Sequence, residues 1–164
     1  KKDWYIIQHK SNLRDKAVLN LTNQGITVFL PQIEKTHKKG NKFVKKKMSL
    51  FPGYFFIKLE ESFVSLNTIN STYGVLKILM FGRKPSIVSD KIIDELKRNC
   101  TTNDVFMNVP KFQAGDKVIF TNSPFASFVG KIQKVDASYR ICVLLDYIGK
   151  KFNIISSNQN LQKI

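Results

Sequence analysis

The run "LFPGYFFIKL", Leu50 to Leu59, holds four aromatic rings in ten residues, three of them consecutive at Tyr54, Phe55 and Phe56. Side chains on a strand alternate between its faces, so Tyr54 and Phe56 share one face while Phe55 and Ile57 take the other. Burying both sets demands a sheet covered on both sides. One face therefore belongs to the core. The other is either covered by a helix or left for a partner. Directly before this run the chain is basic, with seven lysines between Lys35 and Lys47.

Around that strand the pattern alternates. "DWYII" suits a strand from about Trp4 to Gln8. In "SNLRDKAVLNLTNQGI", Ser11 or Asn12 is placed to N-cap a helix whose apolar face is Leu13, Ala17, Val18 and Leu21, with Gly25 as its left-handed stop. Pro31 makes "ITVFLPQIEK" an edge or bulged strand. Lys39-Gly40-Asn41 predicts the tip of a β-hairpin. "ESFVSLNTINSTYG" reads as a helix carrying Phe63, Leu66 and Ile69 on one side and ending near Gly74. "VLKILMFG" reads as a strand before a "GRKPSIV" loop. "DKIIDELKRN" reads as a helix capped by Ser89, with Ile92, Ile93 and Leu96 as its stripe. The order β-α-β-β-β-α-β-α is that of an α+β domain over residues 1–99.

"CTTNDVFMNVPK" has no period and contains Pro110, so residues 100–111 are expected as a linker. Beyond it, "GDKVIF", "FVGKIQKVD", "RICVLLDYI" and "KFNIIS" are short β-branched runs between close turns, which predicts a small β-barrel or meander over residues 112–164. Gly130 and Gly149 weigh the same way, since a glycine costs a helix interior about 1 kcal/mol.

The chain has 164 residues, with 27 Lys+Arg against 12 Asp+Glu, a net charge of +15. Residues 1–111 carry 20 and 9 of these, the remainder 7 and 3. Such an excess concerns partners: nucleic acid first, a membrane surface second, with an AT-rich genome favouring Lys and Asn codons as the bland explanation. Cys100 and Cys142 are far apart, match no metal spacing and read as reduced thiols. No apolar run approaches the ~20 residues a bilayer span needs. "KKDWYIIQHK" lacks the apolar length and cleavage site of a signal peptide, so a soluble, cytoplasmic protein is expected, and it is expected to act as a monomer. His9 and His37 lie on separate segments, the acids are scattered and no glycine loop suits a phosphate. No catalytic site, metal or cofactor is therefore expected, and no enzyme.

Two motifs, in this order, resemble one family. "LFPGYFFIKL" is similar to the signature of the N-terminal (NGN) domain of NusG-type transcription elongation factors. "GDKVIFTNSPFASFVGKIQKVD" is similar to the KOW motif that follows it there. "DWYII" and "TINSTYGVLKILMFG" extend the resemblance over nearly the whole chain. "TINSTYGV" with "FGRKPSIVSDKIIDEL" looks closer to the specialised RfaH-like paralogues than to general NusG. The resemblance implies an antiparallel NGN sheet flanked by helices, then a five-stranded KOW barrel, with the RfaH-like helical hairpin as the C-terminal alternative. It implies an elongation and antitermination factor that bridges the β′ clamp helices of RNA polymerase to the gate loop of β and suppresses pausing. The KOW domain would recruit ribosomal protein NusE, with the termination factor Rho as a further partner.

Carried over residue by residue, the clamp-helix contact falls to Phe51, Pro52, Tyr54 and Phe56, with Ile93 and Leu96 bordering the same apolar depression. The gate-loop contact falls on Ser65, Leu66, Asn67 and Thr68, where only Thr68 keeps the family's His-Thr-Thr-Thr run. An ordinary helix start is the plain alternative there. The non-template DNA strand is implied at Lys10, Lys16, Asn20, Asn70, Thr72 and Tyr73, although Tyr73 and Asn20 replace the Arg and His with which RfaH reads its element. For Lys38, Lys39, Lys42, Lys45, Lys46 and Lys47 the choice is upstream DNA or solvent. Met48 stands where RfaH has the acidic partner of its inter-domain ion pair, and Arg140 keeps the basic position, which weighs against the helical form. The rival of another class is a ribosome-associated or general RNA-binding KOW protein.

Overall fold

The computed structural model describes residues 1–60, 62–107 and 124–149. The chain divides into two units, Lys1–Phe106 and Met107–Ile164. In the first, β1 (Asp3–His9) leads through α1 (Arg14–Asn23) to β2 (Thr27–Phe29). A two-stranded ribbon follows, β3 (Gln32–Lys39) with β4 (Lys42–Ser49), and then β5 (Tyr54–Leu59). Next come the short α2 (Leu66–Asn70), β6 (Val75–Ile78), a small hairpin of β7 (Met80–Phe81) and β8 (Lys84–Pro85), β9 (Ile87–Val88) and α3 (Asp90–Arg98). The main sheet runs β2-β5-β1-β6, with β9 also on β1, and its pairings are antiparallel.

The ring-rich strand lies beside β1, with Tyr5 opposite Ile57, Ile6 opposite Phe56 and Ile7 opposite Phe55. Residues directly opposite share a face. Tyr5, Ile7, Phe55 and Ile57 therefore line one face, packed with Ala17 and Leu21 of α1 and Ile69 of α2. Trp4, Ile6, Phe29 and Phe56 line the other, where α3 meets β1. Phe55, Phe56 and Ile57 are all buried, so the sheet is covered on both sides.

Several local expectations are corrected. Asn12 takes φ 60°, turning the chain, so the N-cap of α1 falls on Leu13, with no side-chain cap bond. Ser89 sits at the cap position of α3 in extended conformation and likewise makes no side-chain cap bond. Proline has no N–H to give a ladder, and the strand expected through Pro31 divides there into β2, which is at the edge of the main sheet as expected, and β3. α2 is a single turn starting after Ser65, which leaves Phe63 outside it and exposed. "VLKILMFG" breaks at Leu79, and the expected "GRKPSIV" loop supplies β8 and β9. Residues 100–106, expected as linker, fold onto the first unit: the Gln32 N–H donates to the Asp104 carbonyl at 2.9 Å and the Phe106 N–H to the Gln32 carbonyl at 2.6 Å. Residues 108–111 lie outside the described residues.

In the second unit the described residues form two helices, α4 (Pro124–Lys134) and α5 (Arg140–Tyr147). "FVGKIQKVD" and "RICVLLDYI", expected as barrel strands, are thus helical, as in the helical alternative. "GDKVIF" and "KFNIIS" lie outside the described residues. The cause is a helical period present in both runs. Phe125, Phe128, Val129 and Ile132 stand at i, i+3, i+4 and i+7, and so do Ile141, Leu144, Leu145 and Ile148. Phe128, Val129, Ile132, Ile141, Leu144 and Leu145 are buried, and Phe128 stacks on Tyr147 at 4.6 Å. Gly149 costs no helix interior, because it lies past α5 at φ +75° with its N–H on the Asp146 carbonyl at 3.0 Å. It is the left-handed stop that ends the helix.

Candidate functional site

The second face of the sheet is an aromatic cluster. Phe56 stacks on Phe29 at 5.9 Å and meets Phe51 edge-on at 5.8 Å, while Trp4 meets Phe29 edge-on at 6.4 Å. Such pairs add to the area they bury. Helix α3 is fastened here, since Trp4 Nε1 donates to Asp90 Oδ1 at 3.0 Å and Lys58 Nζ donates to the same oxygen at 2.9 Å. The Lys58 bond, more than the Trp4 bond, holds the Asp90 carboxyl below its usual range. Lys97 Nζ lies 4.8 Å from the Trp4 ring centre and 5.3 Å from that of Phe29, within cation–π reach of both.

Phe51, Phe56, Ile93 and Leu96 are buried, so Phe51 and Phe56 are not the free rings that a waiting partner surface would show. Packed ring on ring, they behave as core. Pro52 and Tyr54, at the rim, are half-buried.

Of the four residues expected at the gate loop, Ser65 and Thr68 are spent on capping α2. The Thr68 N–H donates to Ser65 Oγ at 3.2 Å, and the two hydroxyls lie 2.9 Å apart. Leu66 packs half-buried on the core of the first face, and Asn67 is exposed.

The six residues expected at a DNA strand separate into two groups. Asn70 Oδ1 accepts the Ile78 N–H at 2.8 Å, and the buried Thr72 hydroxyl accepts from Gln24 at 3.0 Å and donates to the Thr68 carbonyl at 3.0 Å. Both hold the fold. Lys10, Lys16, Asn20 and Tyr73 do come together: Lys16 Nζ lies 5.7 Å from the centre of the exposed Tyr73 ring, Asn20 Nδ2 donates to the Tyr73 carbonyl at 3.2 Å, and the Lys10 N–H donates to the Gly74 carbonyl at 2.8 Å. Gly74 makes this possible. At φ +93° it lies against α1 so closely that a Cβ would stand 2.7 Å from the Ala17 nitrogen.

All of the ribbon lysines are exposed. Lys35 stands opposite Lys46 and Lys39 opposite Lys42, while Lys45 pairs with Glu34 at 3.5 Å. Like charges directly opposite destabilise a ladder, so the ribbon carries its charge at a cost.

Two features escaped the sequence reading. Arg14 Nη1 donates to Ser49 Oγ at 3.0 Å, and Arg14, His9 and Lys47 help line an open cavity of about 350 Å³. Burial lowers the His9 pKa from its ordinary 6.5. Arg14 and Ser49 are 35 residues apart, and no spacing signals their meeting. The other is Phe43, 75% exposed on the ribbon. It had a signal, because an aromatic inside an alternating basic hairpin has lysine where an apolar neighbour would stand. Among the described residues no group of His, Cys, Asp or Glu could hold a metal, and no helix is long and apolar enough to cross a membrane.

Residues 2–97 match the family described as "NusG: Transcription termination factor nusG". The chain belongs to the NusG family. Among its relatives, the "Transcription termination/antitermination protein NusG" of Staphylococcus carnosus is 26% identical, covering 99% of this chain and 96% of that protein. The proteins of the same description from Staphylococcus epidermidis and Staphylococcus aureus are 23% and 22% identical with the same coverage. A solved structure, "Domain interaction in Thermotoga maritima NusG", aligns over 56% of this chain and 52% of its own at 22% identity, with a TM-score of 0.34. The NusG family is one of transcription factors and not of enzymes.

Proposed function

We propose that this NusG-family chain is a transcription termination/antitermination factor that binds RNA polymerase during elongation. The observation that carries the reading is the aromatic face of β1, β2 and β5 under α3, inside the matched residues 2–97, with Pro52 and Tyr54 at its rim. Tyr54 and Pro52 are the residues assigned to the β′ clamp helices, with Phe51, Phe56, Ile93 and Leu96 as the packed bed beneath them. Asn67 is the side chain assigned to the gate loop of β. Lys10, Lys16, Asn20 and Tyr73 face the non-template strand, where the lysines neutralise phosphate and the ring stacks on an unpaired base. The ribbon lysines face DNA on the upstream side.

For the second unit the reading has two forms. The helices α4 and α5 are one. The other is the five-stranded KOW barrel that the resemblance implies, and that form recruits NusE, with Rho as a further partner. Two packings of one sequence coexist only when they lie within a few kcal/mol of each other. Helices α4 and α5, formed in a stretch rich in β-branched residues, support the RfaH-like reading.

The test is an elongation assay on a template with a defined pause. The full chain alters the time spent at the pause, and Tyr54→Ala removes most of that effect. Phe56→Ala is the wrong probe, since losing a buried phenylalanine costs about 3–5 kcal/mol of stability. If the chain leaves pausing unchanged but binds RNA with a steep salt dependence, the RNA-binding reading replaces this one.

A further inference from the structure

We propose that the β3–β4 ribbon is a docking surface for one unpaired DNA strand, with Phe43 as the ring on which a base stacks and Lys38 and Lys45 taking the flanking phosphates. The register places these side chains together. Lys38 lies directly opposite Phe43, and Lys45, opposite Thr36, is two residues along from Phe43 and so on the same face. Phe43 is 75% exposed, and its nearest cross-strand neighbour is a lysine and not an apolar residue. Holding a large ring out in water near the tip of a charged ribbon gives the fold nothing.

A ring between cations matches the chemistry of single-strand binders, which track the backbone with positive charge and stack bases on aromatics. Duplex DNA does not fit as well, because the faces of paired bases are already stacked on each other. An anionic membrane does not fit either, because lysines occupy both faces of the ribbon and leave little apolar area to insert.

The occupant is the strand already assigned to Lys16 and Tyr73, and in this respect the inference rests on the proposed function. Lys47, near the base of the ribbon, lines the same open cavity as Arg14, the first residue of α1. Arg14 bonds Ser49, the last residue of β4, and α1 carries Lys16 beside the Tyr73 ring. Both exposed rings, Phe43 and Tyr73, therefore belong to one unit, each with a lysine beside it. The sequence alone left the ribbon lysines between upstream DNA and solvent. Phe43 gives the ribbon a preference for single strands.

Fluorescence anisotropy of a labelled oligo(dT) of about ten nucleotides, within the site sizes of single-strand binders, reads this with the full chain and no polymerase. Phe43→Ala weakens binding at least fivefold while the dependence on salt keeps its slope, since the ring carries no charge. Phe43→Trp restores binding. Lys38→Ala with Lys45→Ala flattens the slope of log K against log salt by about 1.4, or 0.7 per phosphate lost on a single strand. Unchanged affinity of Phe43→Ala overturns the inference. So does tighter binding of a duplex or of oligo(U) of the same length, or loss of anionic-vesicle binding in place of oligo(dT) binding. Phe43→Ala is expected to bind core RNA polymerase as the parent does, so failure here leaves the polymerase reading standing, and failure there leaves this one testable.

Discussion

Replacing Gly74 by alanine tests how α1 is held against the sheet and how the Lys16–Tyr73 patch is assembled. Two costs combine. At φ +93° an L-residue pays the left-handed penalty, about 1–2 kcal/mol. The new Cβ would also meet Ala17 N at 2.7 Å and Ala17 Cα and Cβ at 2.9 Å, which is helix backbone and cannot swing aside. Overpacking of that kind adds about 1–3 kcal/mol. The expected loss is therefore about 2–5 kcal/mol, a large part of the ~5–15 kcal/mol typical of a domain. Gly25→Ala is the control, because φ +77° imposes the backbone penalty while nothing lies within 4 Å of its Cβ. Urea unfolding of the full chain, followed by the fluorescence of Trp4, reports on the first unit, since Trp4 is the sole tryptophan and is buried there. At a urea slope of about 2 kcal/mol per molar, within the usual range, the Gly74→Ala midpoint falls by roughly 1–2.5 M, beyond that of Gly25→Ala. Equal shifts for the two variants would refute the close seating of α1 on Gly74.

Asp90 is held below its ordinary pKa of 3.8 by Lys58 and Trp4, so its contribution is present above that value and lost as pH falls through the lower folded value. Asp90→Asn is therefore less stable than the parent at neutral pH, and the gap closes at acid pH below about 4; a gap that persists there contradicts the assignment. Burial, with a smaller effect from Asp104, pushes the Cys100 thiol up to about 11, so alkylation at mildly alkaline pH is slower in the folded chain than in urea. Equal rates would remove that burial effect. Gly130→Ala places a Cβ in open space within α4 and favours the helical form by about 1 kcal/mol, read by far-UV circular dichroism on heating. A loss of helix in that variant would argue against α4.

How far the sequence could be read depended on whether a pattern had one solution or two. In "YFFIKL", apolar residues at both faces called for a strand with one face on the core and left the other to a helix or a partner; β5 is that strand, with Phe55, Phe56 and Ile57 all buried. In 125–132 and 141–148 the apolar residues repeat at helical spacing, and β-branched content with close turns tipped the reading toward strands. Gly149 was counted as a helix-breaker inside an element when it is a stop just past one. The candidate site divides in the same way. The ribbon lysines were legible from one turn signal and a run of charge. The fates of Asn70 and Thr72 were not, because each is spent on a partner that only the folded chain brings near. Phe51 and Phe56 were assigned to a partner by the family resemblance, and Phe29 and Trp4, distant in sequence, pack with them in a buried cluster.

The central claim is that this NusG-family chain binds RNA polymerase through the rim of its aromatic face. The most direct measurement is a titration of fluorescently labelled full chain with core RNA polymerase, beside its Tyr54→Ala variant. The account predicts saturable binding by the parent, weakened about tenfold or more by removal of one rim aromatic, the loss expected of an interface hot spot. No saturable binding by the parent would contradict it.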